Sequence, residues 1–580
     1  MSSRKQWGAW GWMLGTALLV GCGPEEDKLQ LEFLQPEELA ATRRELAVAV
    51  KVLGGPPDRV VLYVDDMWLA NLDEASYVWD TQAWSEGEHT LTARAFLGER
   101  VFTSQGRKVV VDRTPPHVVS VSPEPGATNV PVDAPISVVF SEPLAPSALQ
   151  SVGLALGVSG EGTETLEPRE LSPDGKTLVF AKPSRSLVPP RTVSAVLTGG
   201  VEDRVGNAFA LARDSGWSWQ VPELLSLGDA MAGLDGSSRG FAHWPTLRLD
   251  DQGRPMVAWM ASASSVRVRR WEGSQWVSLP SGPELEPATT SHLELDAQGR
   301  PTVTWVQWGS SFSWATVYRL EGTSWTLLGR LGTGETASHP FIERAVGRLT
   351  SSGKVKLAWQ ALPRTFPGTS EVRVSSQDSS TSWGLMPHST MASGWRGLVM
   401  EVDATDATVT AWCESVEGGM RVGVERWKSL QEPVVMPLPT RPSYVANPAL
   451  VLQRNGNPVV AWSEVGAIQV HRWTGTAWEQ LGQPFPTAPE QSGLAVPALA
   501  LDASGQLLFA WSVPGKAELW RWAESGWVRL GEISRPTSAM GLSWPISLQV
   551  DGKGAPVLAW SREDPSDASV GSLEVLRLNR

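Results

Sequence analysis

Short runs of alternating hydrophobic and polar residues, separated by Gly, Pro, Asn and Asp, follow one another along most of the chain. Examples are 60–65, 136–140 and 192–197. Alternation with period two is typical of strands that bury one face, and clustered turn residues mark the hairpins between them. The pattern therefore predicts an all-β protein.

The second part of the chain repeats one phrase, first seen at residues 249–259 and closed by a tryptophan. The seven closing tryptophans are Trp259, Trp305, Trp359, Trp412, Trp462, Trp511 and Trp560, at spacings of 46, 54, 53, 50, 49 and 49 residues. A period near fifty over seven copies indicates a repeat architecture.

Three other positions recur at fixed distances before the tryptophan. An aspartate stands nine residues before it in five copies: Asp250, Asp296, Asp403, Asp502 and Asp551. A glycine stands six residues before it in six copies: Gly253, Gly299, Gly353, Gly456, Gly505 and Gly554. Alanine immediately precedes it in six copies, and Thr304 does so in the second. The aspartate can accept hydrogen bonds from turn amides and glycine allows positive φ, so we predict a hairpin turn. The alanine suggests close packing between sheets.

A second hairpin follows the first, as at 268–279, 470–482 and 519–531, with a tryptophan on either side of a tight turn. Each repeat thus supplies four antiparallel strands, which is the content of one propeller blade. Seven blades close a ring and remove free sheet edges. Blade three carries an insertion around 362–370, and blade four lacks the second tryptophan near Val434.

The final repeat lacks its fourth strand, and a matching segment precedes the first repeat. Residues 223–228 resemble 526–531, with Leu224 at the tryptophan position. We therefore predict that residues 223–580 form a seven-bladed propeller and that 223–228 supply the outer strand of its last blade.

Two shorter units precede the repeats, and each shows the strand spacing of a β-sandwich. Residues 31–113 resemble bacterial Ig-like domains in the segments 60–65 and 77–95, although Asp66 stands where glycine is common. His89 in this unit is interpreted as a turn residue, since no second metal ligand is close to it in the sequence.

Residues 114–222 resemble bacterial Ig-like domains of the SbsA type, through the segments 115–131, 140–143 and 203–207. The resemblance implies a spacer or adhesion module of cell-surface proteins. Glu142, Asp203 and Asn207 are weighed as calcium ligands against turn-capping roles, which we favour because no run of EF-type ligands exists.

The N-terminus carries a targeting segment. Arg4 and Lys5 precede an apolar run that is too short to span a membrane, and the run ends at Cys22. Residues 1–22 resemble a bacterial lipoprotein signal peptide, which implies lipidation of Cys22, a polar tether at 23–30 and, because Gly23 follows, sorting to the outer membrane. With Cys22 lipidated, Cys413 has no disulfide partner and is interpreted as a buried structural thiol.

Composition limits the chemistry. A net charge of −13 disfavours nucleic acid as a partner. The repeats contain only Tyr318 and Tyr444, so the tyrosine–glutamate pair and arginine cluster of sialidase-like chemistry find no clear match. His243, His292 and His339 precede or begin three inner strands, but rim positions are favoured over a metal site. We predict no catalytic site, metal or cofactor.

Most repeated tryptophans are interpreted as inter-blade core, with a glycan-binding surface as the alternative. Ligand candidates are better sought in what does not repeat, such as the tryptophans predicted to lie in loops, Trp308, Trp314 and Trp395, and the blade-three insertion; the ligand-binding residues are otherwise unknown. We expect a non-enzymatic lipid-anchored envelope protein whose propeller binds a protein or glycan. The alternative is a propeller hydrolase or lyase acting on polysaccharide, which convergence of a carboxylate pair with Arg or Tyr in the channel mouth would favour.

Overall fold

The computed structural model of the chain is almost entirely β-structure, as predicted. The residues that it describes are 29–73, 76–160, 162–184, 187–209, 216–232, 243–262, 265–280, 288–309, 311–332, 338–339, 341–364, 368–379, 382–386, 389–391, 397–428, 432–439, 444–487, 495–524, 526–535, 545–564 and 567–580. Cys22 and the proposed signal peptide lie outside these ranges. In the described part of the chain, no helix is long and apolar enough to cross a membrane.

The first sandwich packs a three-stranded sheet, in the order β1-β3-β6, against a larger sheet, in the order β2-β9-β7-β4-β5 with β8 beside β7. Its strands are β1 (Gln30–Gln35), β2 (Ala40–Thr42), β3 (Glu45–Leu53), β4 (Arg59–Val64), β5 (Met67–Asn71), β6 (Ser76–Asp80), β7 (Gly87–Leu97), β8 (Arg100–Thr103) and β9 (Arg107–Val111). Trp79 is fully buried between the sheets. This unit is the first of two β-sandwiches.

The second sandwich pairs the sheet β10-β11-β15-β14 with the sheet β13-β12-β16-β19, and β17 and β18 form a separate hairpin. Its elements are β10 (Val118–Ser122), β11 (Ser137–Phe140), α1 (Ala148–Ser151), β12 (Val152–Val158), β13 (Thr163–Leu166), β14 (Pro168–Leu171), β15 (Thr177–Phe180), β16 (Arg191–Gly199), β17 (Val201–Glu202), β18 (Ala208–Phe209) and β19 (Gly216–Val221). Phe140, Leu154 and Trp219 belong to its core.

Seven antiparallel sheets follow. Two strands precede the first blade: β20 (Leu224–Ser226) and β21 (Met231–Ala232). The first three blades consist of β22 (His243–Leu249), β23 (Pro255–Ser262), β24 (Ser265–Trp271) and β25 (Trp276–Ser278); β26 (Ala288–Leu295), β27 (Pro301–Trp308), β28 (Ser313–Glu321) and β29 (Ser324–Leu331); and β30 (Phe341–Leu349), β31 (Val355–Leu362), β32 (Ser370–Gln377), β33 (Trp383–Leu385) and β34 (Ser389–Met391).

The remaining four blades continue the pattern. They consist of β35 (Leu398–Val402), β36 (Thr408–Val416), β37 (Gly419–Trp427) and β38 (Val434–Val435); β39 (Val445–Leu452), β40 (Pro458–Glu464), β41 (Ala467–Trp473), β42 (Trp478–Gln480) and β43 (Phe485–Pro486); β44 (Val496–Leu501), β45 (Leu507–Val513), β46 (Lys516–Ala523) and β47 (Gly526–Ser534); and β48 (Ile546–Val550), β49 (Pro556–Asp564) and β50 (Asp567–Leu578).

The first strand of each blade contacts the first strand of the next, and β48 of blade 7 contacts β22 of blade 1. The sheets therefore form a closed seven-bladed propeller, and the predicted fold class is confirmed. In blade 7, β20 pairs antiparallel with β50, with Leu224 opposite Leu578, and takes the outer position. This strand lies within the segment 223–228, which the sequence predicts to be the outer strand of the last blade.

The turn chemistry predicted for the first hairpin is confirmed. Asp250 Oδ1 accepts hydrogen bonds from the amides of Gln252 and Arg254 at 3.0 and 2.9 Å. The other four turn aspartates make the same pair of bonds. All six glycines have positive φ, and Asp406 takes that conformation in blade 4, with φ of 63°.

Neighbouring blades interlock through the repeated alanine. Ala258 of blade 1 packs with Leu293 of blade 2, and Ala411 of blade 4 packs with Leu450 of blade 5. Blade 2 carries the larger Thr304 instead, and blade 3 presents Gly347 at the facing position. A Cβ on Gly347 would lie 2.3 Å from the Thr304 hydroxyl, so the two exceptions to the repeat compensate each other.

The outer tryptophans join blades by hydrogen bonds. An indole N–H from the outer strand of one blade donates to a main-chain carbonyl of the preceding blade or of the segment that follows its outer strand. The pairs are Trp276 to Leu227, Trp325 to Pro280, Trp383 to Leu328, Trp478 to Met436 and Trp527 to Leu481. Val434 and Val435 form the outer strand of blade 4 and are both exposed, so this junction lacks the indole contact.

The last propeller strand is joined to the second sandwich by Asn579, which is 2% exposed. Its side-chain amide donates to the carbonyls of Val130 and Pro222 at 3.1 and 2.9 Å, and its oxygen accepts from the Val132 amide at 2.8 Å. Because all three partners lie in the sandwich or at its exit, one asparagine orders the boundary between the domains.

Candidate functional site

The propeller encloses a cavity of about 250 Å³ at one end of its channel. Residues from the inner strands of all seven blades line it, among them Trp244, His292, Arg344, Leu398, Asn447, Pro497 and Gln549. This mouth cavity therefore lies on the axis of the ring. Such concave sites with a few convergent polar groups are the usual places of ligand binding.

The backbone at the mouth departs from regular strand geometry. Trp244 and Asn447 have positive φ, at 54° and 52°, and both precede a proline. Bulges interrupt the pairing at these two residues and directly before Arg344. Bulges redirect side chains and are common beside functional sites, and strained φ values concentrate there too.

Charged side chains alternate beneath this opening. The channel belt consists of Arg248, Glu294, Arg348 and Glu401. Each stands two residues before the first residue of the turn in the first hairpin of its blade, in blades 1 to 4. Arg248 bonds to Glu294, and Arg348 Nη1 and Nη2 bond to Glu294 and Glu401 at 2.8 and 2.7 Å. Burial alone would lower the pKa of Arg348, but Glu401 and Glu294 outweigh it and raise that pKa. The belt is thus internally neutralised.

His292 lies against the belt with Nε2 at 3.1 Å from Glu294 Oε1. Burial, and then the charges of Arg348 and Arg248, lower the pKa of His292 well below its ordinary value. The imidazole is therefore neutral at pH 7, and its contact with Glu294 is a hydrogen bond and not an ion pair.

Arg344 differs from the two belt arginines. Its guanidinium carbon lies 4.3 Å from the centre of the Trp244 ring, a cation–π distance. Burial lowers the pKa of Arg344, while Glu343 and then Cys413 oppose this through space. Among the described residues, none accepts a hydrogen bond from this guanidinium.

The histidines weighed as a metal site do not form one in the described part of the chain. His292 borders the mouth cavity, whereas His339 Nε2 contacts the carbonyl of Thr369 at 2.7 Å and does not line the cavity. The side chain of His243 lies outside the described residues. Tyr318 stacks on Trp305 with ring centres 5.0 Å apart and does not line the cavity.

The placement of two ligand candidates in loops was wrong. Trp308 ends β27 and stacks on Phe341 at 6.0 Å, and Trp314 lies within β28, where its indole donates to Gln307 at 2.7 Å. Trp395 lies outside the described residues. The closing tryptophans of the repeats are buried, so their interpretation as inter-blade core is confirmed.

The interpretation of His89 as a turn residue was also wrong. His89 lies in β7, is 4% exposed and places Nδ1 at 2.6 Å from Asp65 and Nε2 at 2.8 Å from the carbonyl of Ser85. Its ring also packs edge-on against Trp79 and Trp84. It is a buried polar link inside the first sandwich.

A carboxylate cluster lies where the two sandwiches meet. Asp112, Glu142 and Asp203 each place an oxygen within 4.8 Å of the others. Burial, then the charges of Asp112 and Asp203, raise the pKa of Glu142 to about 7. Asn207 donates its amide to Asp203 at 2.7 Å, and Asp203 accepts the amides of Val205 and Asn207.

The turn-capping role of Asp203 is therefore confirmed, and Asp112, which no sequence motif singled out, is the third acid of the cluster. These three oxygens are suited to a hard cation, but the hydrogen bonds within the turn already account for the orientation of Asp203.

Cys413 is 1% exposed and is a free thiol, and burial raises its pKa to about 12. It packs with Ala411, Val422 and Trp462. The interpretation as a structural thiol is confirmed.

Comparison with known proteins identifies one domain. Residues 112–221 match the family model of the bacterial Ig-like domain, so the Ig-like assignment of the second sandwich is confirmed. This match covers the second sandwich and not the propeller. No curated protein matches the chain.

Solved structures give distant likenesses. A protein from Lactobacillus plantarum is 12% identical with a TM-score of 0.35, covering 59% of this chain and 94% of that one. The Hadza microbial sialidase Hz136 is 13% identical with a TM-score of 0.35, covering 78% and 94%. The intramolecular trans-sialidase from Ruminococcus gnavus is 10% identical with a TM-score of 0.33, covering 61% and 97%. Scores this low carry no inference about activity.

Sequence reasoning missed Trp244, Arg344 and Asn447. A signal was present: the start of an inner strand carries a proline in four blades, at Pro245, Pro448, Pro497 and Pro545, and all four line the cavity. The residues beside these positions vary from blade to blade, whereas the turn and the closing tryptophan recur.

Proposed function

We propose that this protein is a non-enzymatic, lipid-anchored component of a bacterial cell envelope. Cys22 carries the anchor, the two Ig-like sandwiches act as spacers and the propeller binds a protein or glycan partner at its mouth cavity. The observation that carries the binding role is the convergence of Trp244, Arg344 and Asn447, on bulged backbone, around that cavity.

Several features support binding over catalysis. Glu294 and Glu401 are held by arginines, His292 is neutral and paired, and neither tyrosine of the propeller lines the cavity. A general acid or base must reach the substrate with a proton to give or take. Carboxylates held in buried ion pairs are better placed to hold strands in register than to exchange protons.

The binding role is tested with the mature chain, residues 23–580, made without the signal peptide and therefore without the lipid, on a glycan array and in pull-downs from envelope extract. We expect one glycan or one protein to bind and to be lost with Trp244→Ala, while Trp68→Ala in the first sandwich leaves binding unchanged. Absence of any partner that depends on Trp244 would contradict the proposal.

The anchor is tested separately by metabolic labelling with a fatty-acid analogue. We expect label on the natural chain and none on Cys22→Ala. Label retained by the variant would exclude Cys22 as the attachment point.

One observation favours the alternative, a hydrolase or lyase acting on polysaccharide. Arg348 bridges Glu294 and Glu401, and convergence of a carboxylate pair with arginine in the channel is the feature expected of such an enzyme. Incubation with a polysaccharide panel, followed by assays for reducing ends and unsaturated products, tests it. Turnover abolished by Glu294→Gln and Glu401→Gln would establish the enzyme and remove the non-enzymatic proposal.

A further inference from the structure

Arg344 lines the mouth cavity without a hydrogen bond to the described residues. The belt arginines, Arg248 and Arg348, each bond to a glutamate, whereas Arg344 stacks on Trp244 and has no hydrogen-bond acceptor among the described residues. Glu343 offsets this charge only through space, so the guanidinium N–H groups can bond to an acceptor that a ligand supplies in the cavity.

A β-bulge sets the position of Arg344 in the channel. Ile342 pairs with Ala361 and Arg344 with Gln360, so Glu343 is the extra residue of a bulge and Arg344 takes the position that faces the channel. Glu343 acts on Arg344 through space and does not line the cavity. Trp244 covers one face of the guanidinium, which leaves its N–H edge to meet a ligand.

Charge balance sets the kind of anion. Three arginines, Arg248, Arg344 and Arg348, are offset by the belt glutamates Glu294 and Glu401 and, through space, by Glu343. Because these charges already balance, a small monoanion on Arg344 meets less repulsion from the three glutamates than a dianion or a polyanion would. A guanidinium offers paired donors that match the two oxygens of a carboxylate.

We infer that the mouth cavity binds the carboxylate of a small acidic ligand on Arg344, with Trp244 holding the guanidinium in place. This inference rests on the proposed function, because it assigns ligand chemistry to the same site. The cavity, at about 250 Å³, suits a single acidic unit and not an extended chain.

The test titrates the mature chain, residues 23–580 without the lipid, with three probes: D-glucuronate, acetate and D-glucose. Calorimetry and saturation-transfer NMR report binding. We expect glucuronate to bind, D-glucose to bind at least about 10-fold more weakly, and Arg344→Met to lose about 10-fold or more in glucuronate affinity, as hydrogen bonds to charged groups warrant. Arg344→Lys should retain part of the affinity, and Arg454→Met, at an exposed turn arginine, should retain all of it.

The acetate arm distinguishes the sources of the carboxylate. Acetate and glucuronate binding alike show a site for the carboxylate alone, and glucuronate binding more tightly shows a site for a sugar acid; both support the inference. No carboxylate binding, equal binding of glucose, or unchanged affinity in a folded Arg344→Met would overturn it. A Trp244-dependent partner that contains no carboxylate would overturn this inference while leaving the proposed function intact.

Discussion

Single residues show how the repeat tolerates exceptions. Thr304 is larger than the alanine of the other blades, and Gly347 vacates the volume that leucine or methionine fills elsewhere. The sequence shows both exceptions to the repeat, yet they lie in different repeats, 43 positions apart. Only the packing of blade 2 on blade 3 reveals that they form a pair.

We predict that Gly347→Ala destabilises the propeller by about 1–3 kcal/mol, because the new methyl group meets the Thr304 hydroxyl in a packed interface. Combining Thr304→Ala with Gly347→Leu restores the arrangement of the other blades and should recover most of the loss. Denaturant unfolding of the single and double variants measures both effects. Additive losses in the double variant would show that the two positions are not coupled.

Glu142 gives a prediction about pH. Its pKa in the folded protein, about 7, is raised above the ordinary value of 4.5, so the fold favours the protonated acid. Stability from this group is therefore present below pH 4.5 and is lost as the pH rises through 7. Glu142→Gln should match the natural protein at pH 5 and be more stable at pH 8, by about 1–2 kcal/mol after solvent screening.

Thermal unfolding at the two pH values measures this difference, with Glu124→Gln, an exposed glutamate of the same domain, as the control. A variant no more stable than the natural chain at pH 8 would contradict the raised pKa. A rise in melting temperature with calcium in the natural chain, absent in Glu142→Gln, would show that the carboxylate cluster binds the ion.

At the scale of elements, the outer tryptophans explain why the second hairpin recurs along the repeats. Trp527 donates to the Leu481 carbonyl and packs against Phe485 and Phe509. Gly482 makes room, since a Cβ there would lie 2.9 Å from this indole. Leu481 and Gly482, at the end of one hairpin, therefore form the contact site for the tryptophan of the next blade.

We predict that Trp527→Phe lowers stability by about 1–3 kcal/mol, because a buried carbonyl loses its donor and the smaller ring packs less well. Trp68→Phe, at a tryptophan that is 63% exposed, should change stability little. Equal effects of the two substitutions in thermal or denaturant unfolding would show that the indole bond contributes nothing.

The sequence predicts the blades, their turns and their core tryptophans well, but it does not predict the residues of the mouth cavity. The difference has a physical reason. Turn aspartates, glycines at positive φ and core tryptophans answer local demands that recur in every blade, so periodicity exposes them. Arg344 and Trp244 meet only because the ring closes and bulges redirect them. No local rule relates positions in blades 1 and 3, and the hydrogen-bond pairing that leaves Arg344 without an acceptor among the described residues is a property of the assembled channel.

At the scale of the molecule, Asn579 joins the propeller to the second sandwich. We predict that Asn579→Ala separates their unfolding, because three hydrogen bonds across the boundary are lost and buried carbonyls remain without donors. Calorimetry should show one unfolding transition for the natural chain and two for the Asn579→Ala variant. A single transition with an unchanged melting temperature in the variant would mean that other contacts couple the domains.

The pairing of β20 with β50 also governs the order of events during synthesis. The ribosome releases β20 first, and its partner emerges after all the intervening blades have been made. Roughly 350 residues at 5–20 residues per second leave this edge without its partner for about 20–70 s. Nascent chains interrupted within the last blade should thus present an open ring that chaperones and proteases recognise, so that translation to the final strand becomes the checkpoint for a finished propeller.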